Sequence, residues 1–355
     1  MRLKEFKEIL IKENIDACIL LKSNLNKPDS NIIYFSNLDL SDFCCLIIYK
    51  DREPLVIVAK LEFDKSKKSS YIKNVIMLTN LLEQLKKYAD CRTIGLNFDC
   101  ISIKEYQRLT EILPNSSIVD VSKHLNDLRK LKTDKEIKKI KEACRITDGI
   151  LEKCIDNFKK FRMETDVLDF IESQTRKLGL VNSFPTIIAS GRDAAFPHHI
   201  TSKKRLERGF CVIDFGVKFN NYCSDTTRTL FIGKPSENEK EMYNLVLAAQ
   251  INSIKSSKVG VKTLEVDKAC RKFLGKYQKY FIHGLGHQIG IDVHEGAFRL
   301  SKNSKDSLQK RMVFTIEPGI YIKNKFGIRI EDTVLLNEKC TPLTRFTKEF
   351  IAINL

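Results

Sequence analysis

The sequence predicts an α+β protein in two parts, a small α/β domain over residues 1–122 and a larger domain of helices and paired strands over 123–355. Three observations carry this. The chain has 355 residues, enough for about two domains at roughly 150 residues each. Helix-like and strand-like patterns alternate regularly through the first third. Beyond residue 123 the pattern turns charged and helical, then rich in strands that read as antiparallel hairpins.

The small domain is read element by element. Residues 3–13 carry apolar side chains at helical spacing. Residues 17–21, 43–49 and 55–59 are short apolar runs, the last two joined across the polar, proline-containing stretch at 50–54. A strand at 75–78, a helix at 81–88, a strand at 93–96, a helix at 103–113 stopped by Pro114 and a strand at 118–121 complete it. From 123 to about 160, Leu128, Leu131, Ile137, Ile140, Ala143 and Ile146 recur largely at threes, which predicts a linker helix opening the second domain. That domain continues with a helix near 166–178, strands over 210–231, helices within 237–280, and strands at 312–316 and 328–336.

Composition narrows the class. Apolar residues make up 43% and charged residues 30%, which excludes disordered and low-complexity chains. The longest apolar runs fall far short of the roughly 18 residues needed to cross a bilayer. The first ten residues alternate charge with apolar side chains, unlike a secretory signal. Eleven cysteines lie scattered without C-x-x-C spacing, so reduced thiols in a cytoplasmic protein are the expectation. The net charge of +16 is uneven: residues 1–130 hold 21 basic and 18 acidic side chains, so the surplus sits in the second domain. No basic stretch is interleaved with aromatics, and tryptophan is absent. A solvated lysine-rich surface is therefore preferred to a nucleic-acid partner.

The chemistry lies in the second domain. Asp214 follows the apolar run Cys211, Val212, Ile213, and Asp225 sits across a reversal at Phe219, Asn220 and Asn221. Positions straddling such a turn lie opposite or diagonal to one another. Either aspartate alone reads as a turn or surface acid; together they would repel unless a cation lay between them. Glu317, before Pro318 and Gly319, and Glu331, after Arg329 and Ile330, are likewise embedded in strand-like sequence. Glutamate is depleted in strands and is rarely buried unpaired. His283, His287 and His294 fall within twelve positions. Their spacing superficially suits a helical zinc site, but Gly284 and Gly286 oppose a helix and no glutamate follows His283. Four carboxylates and an imidazole suit Mn²⁺, Co²⁺, Fe²⁺ or Zn²⁺ in a two-metal site, and such a site implies hydrolysis.

The ordered series Asp214, Asp225, His287, Glu317, Glu331 resembles the five-ligand signature of the pita-bread metallopeptidases. The resemblance spans nearly the whole chain: 1–122 is similar to the creatinase-type N-terminal domain and 123–355 to the pita-bread catalytic domain. The words Glu-Pro-Gly-Ile-Tyr around Glu317, Arg-Ile-Glu-Asp around Glu331, Ser-Asp-x-Thr-Arg-Thr around Asp225 and Phe-Pro-His around His198 resemble the Xaa-Pro peptidases. It implies that Asp214 chelates one ion, Asp225 and Glu331 bridge two, and His287 and Glu317 complete the other. It further implies Glu317 as proton acceptor, His294 beside the scissile carbonyl oxygen, His198 near the proline side, and His283 shaping the proline pocket. Arg329 and Thr227 would orient carboxylates; His199 is left open and His124 is taken as structural.

The expected activity is Xaa-Pro aminopeptidase-like cleavage of peptides with proline second. A dipeptide-restricted prolidase is the alternative, and a non-enzymatic protein- or nucleic-acid-binding relative a remote one. Two divalent ions, Mn²⁺ or Co²⁺ before Zn²⁺ or Fe²⁺, and a homodimer are part of the same implication.

Overall fold

The computed structural model describes residues 2–22 and 29–354. The chain divides into two compact units, Met1–Arg129 and Lys130–Leu355. In the first, strands β1 (Ala17–Lys22), β2 (Cys44–Tyr49), β3 (Leu55–Val58), β4 (Val75–Met77), β5 (Thr93–Leu96) and β6 (Ser117–Asp120) form one mixed sheet. Their order is β4-β3-β2-β1-β5-β6. β1 and β2 are apolar on both faces because helices cover both: Phe6, Leu10, Ile32 and Phe35 pack on one side and Leu85, Leu109 and Ile112 on the other. Two helices, Ser30–Ser36 and Phe63–Ser69, fall outside the elements read from sequence. Both are two turns long, too short for a periodic signal.

The expected continuous linker helix is two helices, Ser122–Lys130 and Asp134–Asn157. Thr133 ends the continuity. Its hydroxyl accepts the Glu136 N–H while the Glu136 carboxylate accepts the Thr133 N–H, a reciprocal cap that starts a new helix. The first helix buries Leu125 and Leu128 in the core of the first unit, so the compact units meet seven residues beyond the 122/123 seam read from sequence.

The second unit is built from short, mostly antiparallel sheets. β7 (Val181–Asn182), β8 (Ile187–Ser190), β9 (Gly209–Phe215), β10 (Val217–Phe219), β11 (Tyr222–Cys223) and β12 (Thr226–Ile232) form its first half. The long β9–β12 ladder is central there, with β8 on its other side. β13 (Gly286–His287), β14 (Arg299–Leu300), β15 (Met312–Ile316), β16 (Gly319–Ile322), β17 (Phe326–Arg329) and β18 (Asp332–Leu336) form the second half. Helices Asp134–Asn157 and Glu164–Lys177 bury Ile150, Leu151, Val167 and Ile171 against β9 and β12. Helices Glu237–Ser256 and Thr263–Leu274 bury Val246, Ala249, Val266 and Cys270 against the β15–β18 side. No helix of the described residues is long and apolar enough to cross a membrane.

Candidate metal centre

The β9–β12 ladder sets the first two acids. Asn220 and Asn221, with φ of 46° and 68°, form a two-residue left-handed turn between β10 and β11. The register that follows puts Thr227 opposite Asp214. Asp225, two residues earlier, is therefore diagonal to Asp214 on the same face rather than directly across. Between the ladders the backbones close up at Gly216, where a Cβ would stand 1.8 Å from the Ser224 carbonyl oxygen.

The two glutamates come from a second hairpin with a gap in its middle. Ile316 pairs with Asp332 and Gly319 with Arg329. The same register, carried across the gap, sets Glu317 opposite Glu331. Pro318 has no N–H to complete a ladder there, which is why the strands part at the glutamates. The Glu317 N–H turns instead to the Leu285 carbonyl at 2.9 Å, and the Glu331 N–H to the Thr227 carbonyl at 3.1 Å.

His287 stands on a strand, not a helix, as the glycines around it demand. Gly286 lies so close to β15 that a Cβ would be 1.9 Å from the Thr315 carbonyl oxygen. The His287 Nδ1–H is directed at the Gln288 carbonyl at 3.3 Å. Its Nε2 lies 3.5 Å from both Asp225 Oδ2 and Glu317 Oε1. Asp225, His287 and Glu331 can offer three donor atoms within 4.8 Å of one another. All five residues line one cavity of about 680 Å³, and His198, His283 and His294 line it too.

The electrostatics define what the site can hold. Burial, then the charges of neighbouring carboxylates, raise the pKa of Asp225 and Glu331 well above the ordinary range. Glu317 is pushed up to about 7 by burial, with Arg329 opposing and Asp214 reinforcing the rise. His287 is lowered to about 3 by burial and by His294, so its Nε2 carries a lone pair. Asp214 Oδ2 accepts Arg329 Nη2 at 2.5 Å, but its buried Oδ1 has no hydrogen-bond partner among the described residues. Orphaned carboxylate oxygen, mutually repelling acids and a neutral imidazole match the needs of divalent cations. The residue set fits the group.

Arg329 organises the wall. It donates to Asp214, to Thr227 Oγ1 at 3.1 Å, to Tyr321 Oη at 2.9 Å and to the Pro197 carbonyl at 3.3 Å. The Thr227 hydroxyl donates to Glu331 Oε2 at 2.7 Å. His283 Nδ1–H donates to the Gly284 carbonyl, leaving Nε2 to accept the Tyr321 hydroxyl at 2.9 Å. Burial, then Arg329, hold that ring neutral, down to about 3. His199 is tied by Nε2 to the fully buried Glu164 at 2.8 Å, and His124 lies in the first unit.

Several groups escaped the sequence reading. Tyr321 stood in a quoted motif without a role. Arg299, half-buried on the cavity wall, and the buried Lys132–Glu295 pair gave no signal, because a lysine or arginine reads as solvated until its partner is known.

Residues 138–338 match the model of metallopeptidase family M24, and residues 2–131 match the Creatinase/Prolidase N-terminal domain. The chain is 33% identical to a Xaa-Pro dipeptidase of Pyrococcus furiosus, covering 99% of both chains. Among solved structures it is similar to the prolidase of Pyrococcus horikoshii, with a TM-score of 0.90, 33% identity and 99% of each chain covered. It is also similar to an X-Pro aminopeptidase of Thermotoga maritima, with a TM-score of 0.89 and 31% identity over 98% of this chain and 100% of the other.

Proposed function

We propose, because the chain belongs to metallopeptidase family M24, that it is an Xaa-Pro dipeptidase releasing the first residue from a dipeptide whose second residue is proline. The order of the two readings taken from sequence is thereby reversed: relatives named as Xaa-Pro dipeptidases favour the dipeptide substrate, and the longer-peptide reading becomes the alternative. The observation that carries the proposal is the convergence of Asp214, Asp225, His287, Glu317 and Glu331 on one cavity edged by His198, His283 and His294. Arg299 supports the shorter substrate. Arg299 lines the same cavity, and a dipeptide brings a free carboxylate that a guanidinium binds in fork geometry.

Asp214, Asp225, His287, Glu317 and Glu331 would hold divalent ions; Mn²⁺ and Co²⁺ come first. Bound there, such ions would acidify water at neutral pH and polarise the scissile carbonyl. The protein's own groups do the rest. Glu317 accepts a proton at a carboxylate oxygen during attack. His294 donates to the carbonyl oxygen as it gains charge, an effect that grows in a dry site. His283 has both ring nitrogens committed and so acts as a wall for the proline ring, and His198 lies at the mouth to return a proton to the leaving imino nitrogen. A homodimer belongs to the same reading by resemblance.

The test is a comparison of Ala-Pro with Ala-Pro-Ala-Ala in manganese-loaded protein. The dipeptide is expected to be cleaved with kcat/KM at least ~100-fold higher, and Arg299→Ala to raise the dipeptide KM ~10-fold with kcat nearly unchanged, the sign of lost uniform binding. Comparable rates on both peptides would return the reading to an aminopeptidase.

A further inference from the structure

The loop joining His287 to His294 holds both functional imidazoles, and its shape depends on a charge pair that no catalytic role requires. Glu295 N–H donates to the Gln288 carbonyl at 2.9 Å, closing the loop at its base. The Glu295 side chain then folds back inside it. Oε1 accepts the Ile291 N–H at 2.9 Å, and Oε2 accepts Gln288 Nε2 at 3.1 Å together with Lys132 Nζ. The carboxylate fills the space above Gly290, where a Cβ would lie 2.3 Å from both oxygens. Outside the loop, the Cys223 N–H holds the Gly290 carbonyl at 2.7 Å. The product of this folding is a fixed ring pair: the His294 ring meets the His287 ring edge-on, with centroids 4.2 Å apart at 83°.

Lys132 is the other end of the strut. It lies in the break between helices, immediately before the Thr133 cap, and its side chain is 1% exposed against 3% for Glu295. Its own backbone is pinned on both sides: Lys132 N–H donates to the Arg311 carbonyl at 2.9 Å, and Arg311 Nε donates to the Lys132 carbonyl at 2.6 Å. A fully buried ion pair is a poor source of stability, since two apolar side chains of similar volume do as well or better. What an apolar pair cannot do is direct hydrogen bonds at Ile291 and Gln288. Leucine at 295 would leave the loop backbone free to choose another path.

We propose that the Lys132–Glu295 pair is a positioning device that holds His294 edge-on to His287, so that its ring nitrogen meets the substrate carbonyl oxygen. Neither residue touches substrate; both act through His294. The inference rests on the Xaa-Pro dipeptidase reading, and the parent enzyme's activity on Ala-Pro serves as the separate check of that reading.

The experiment combines Lys132→Met with Glu295→Leu, removing both charges together so that neither is left unpaired in the core, and places His294→Ala in both backgrounds. Manganese-loaded parent, strut variant, His294→Ala and the triple variant are compared on Ala-Pro. The strut variant is expected to melt within a few degrees of the parent, which excludes a general loss of folding, to keep KM within about threefold, and to lose kcat by at least ~30-fold. In the strut background His294→Ala should cost no more than about threefold, against ~30-fold or more in the parent, because residues acting through one another are not additive. Equal costs of His294→Ala in the two backgrounds would overturn the proposal, as would a strut variant with parental kcat. Should the double variant fail to fold, Glu295→Asp keeps the charge but withdraws it by one methylene from Lys132, and the same coupling to His294→Ala decides the question. A parent inactive on Ala-Pro would refute the dipeptidase reading, while the His287–His294 ring geometry of parent and strut variant, compared by crystallography, would still test the strut.

Discussion

Glu331 and Asp332 are neighbours in sequence, both almost wholly buried, yet the protein treats them in opposite ways. Asp332 is fully paired. Its Oδ1 accepts Arg228 Nη2 at 2.8 Å and Thr344 Oγ1 at 2.9 Å, and its Oδ2 accepts Gln250 Nε2 at 2.9 Å and Lys348 Nζ at 2.5 Å. Burial would raise its pKa, but Arg228 and Lys348 outweigh burial and hold it below the ordinary carboxylate value. Glu331, on the opposite face of the same strand end, accepts the Thr227 hydroxyl, and burial together with the charges of Glu317 and Asp214 outweighs Arg329 and drives its pKa up. A fold that can satisfy a buried carboxylate so completely one residue away leaves Glu331 short of positive charge, as the proposed role of metal ligand requires.

The sharpest way to break this contrast is to remove one charge from the unsatisfied side. Asp225→Asn should lower turnover of Ala-Pro by at least ~10³-fold in steady-state assays, since on the proposed reading it removes a metal ligand, whereas Cys223→Ser, two residues away, should stay within a few fold. Equal tolerance of both changes would mean that Asp225 is not a ligand. On the satisfied side the effect moves from activity to stability. Arg228→Met leaves Asp332 buried with half its cations and frees the Glu331 and Phe346 carbonyls that Arg228 holds. A loss of about 3–5 kcal/mol in urea unfolding is expected. Thr227→Val, which removes only the hydroxyl between Arg329 and Glu331, should cost about 1–2 kcal/mol of stability and weaken manganese binding by ~10–100-fold, as loss of an orienting partner does. A Thr227→Val protein that unfolds as readily as Arg228→Met but binds metal normally would erase the distinction.

How far the sequence made this legible follows from the range of each interaction. Asp214 and Asp225 could be set on one face because the Asn220–Asn221 turn lies between them, and only the register, diagonal rather than opposite, had to come from the structure. Glu317 and Glu331 were visible as acids out of place in strands, but that they face one another depends on a hairpin interrupted at Pro318. The Thr133 cap was in principle readable, since threonine followed three residues later by glutamate is a helix start; the apolar periodicity running through it hid the break. Lys132–Glu295, spanning 163 positions, and Arg228–Asp332, spanning 104, were not. A charged side chain far from its partner in sequence is indistinguishable from a surface one until the backbone folds. Helices of two turns were missed for the simpler reason that they are shorter than the pattern that would reveal them.

The central claim is that Asp225, Glu317 and Glu331 are left short of protein cations in order to bind divalent ions, and metal titration of the stripped chain tests it most directly. An acid whose pKa is raised by folding binds its proton more tightly folded than unfolded, so the stripped chain loses stability as pH rises from 4.5, the ordinary glutamate value, through about 7, where Glu317 titrates. Manganese should therefore raise the melting temperature far more near pH ~7.5 than near pH ~5, by the binding linkage that favours the folded form, and elemental analysis should find two ions per chain. A stripped chain that takes up no divalent ion and melts at the same temperature with and without manganese would contradict the account.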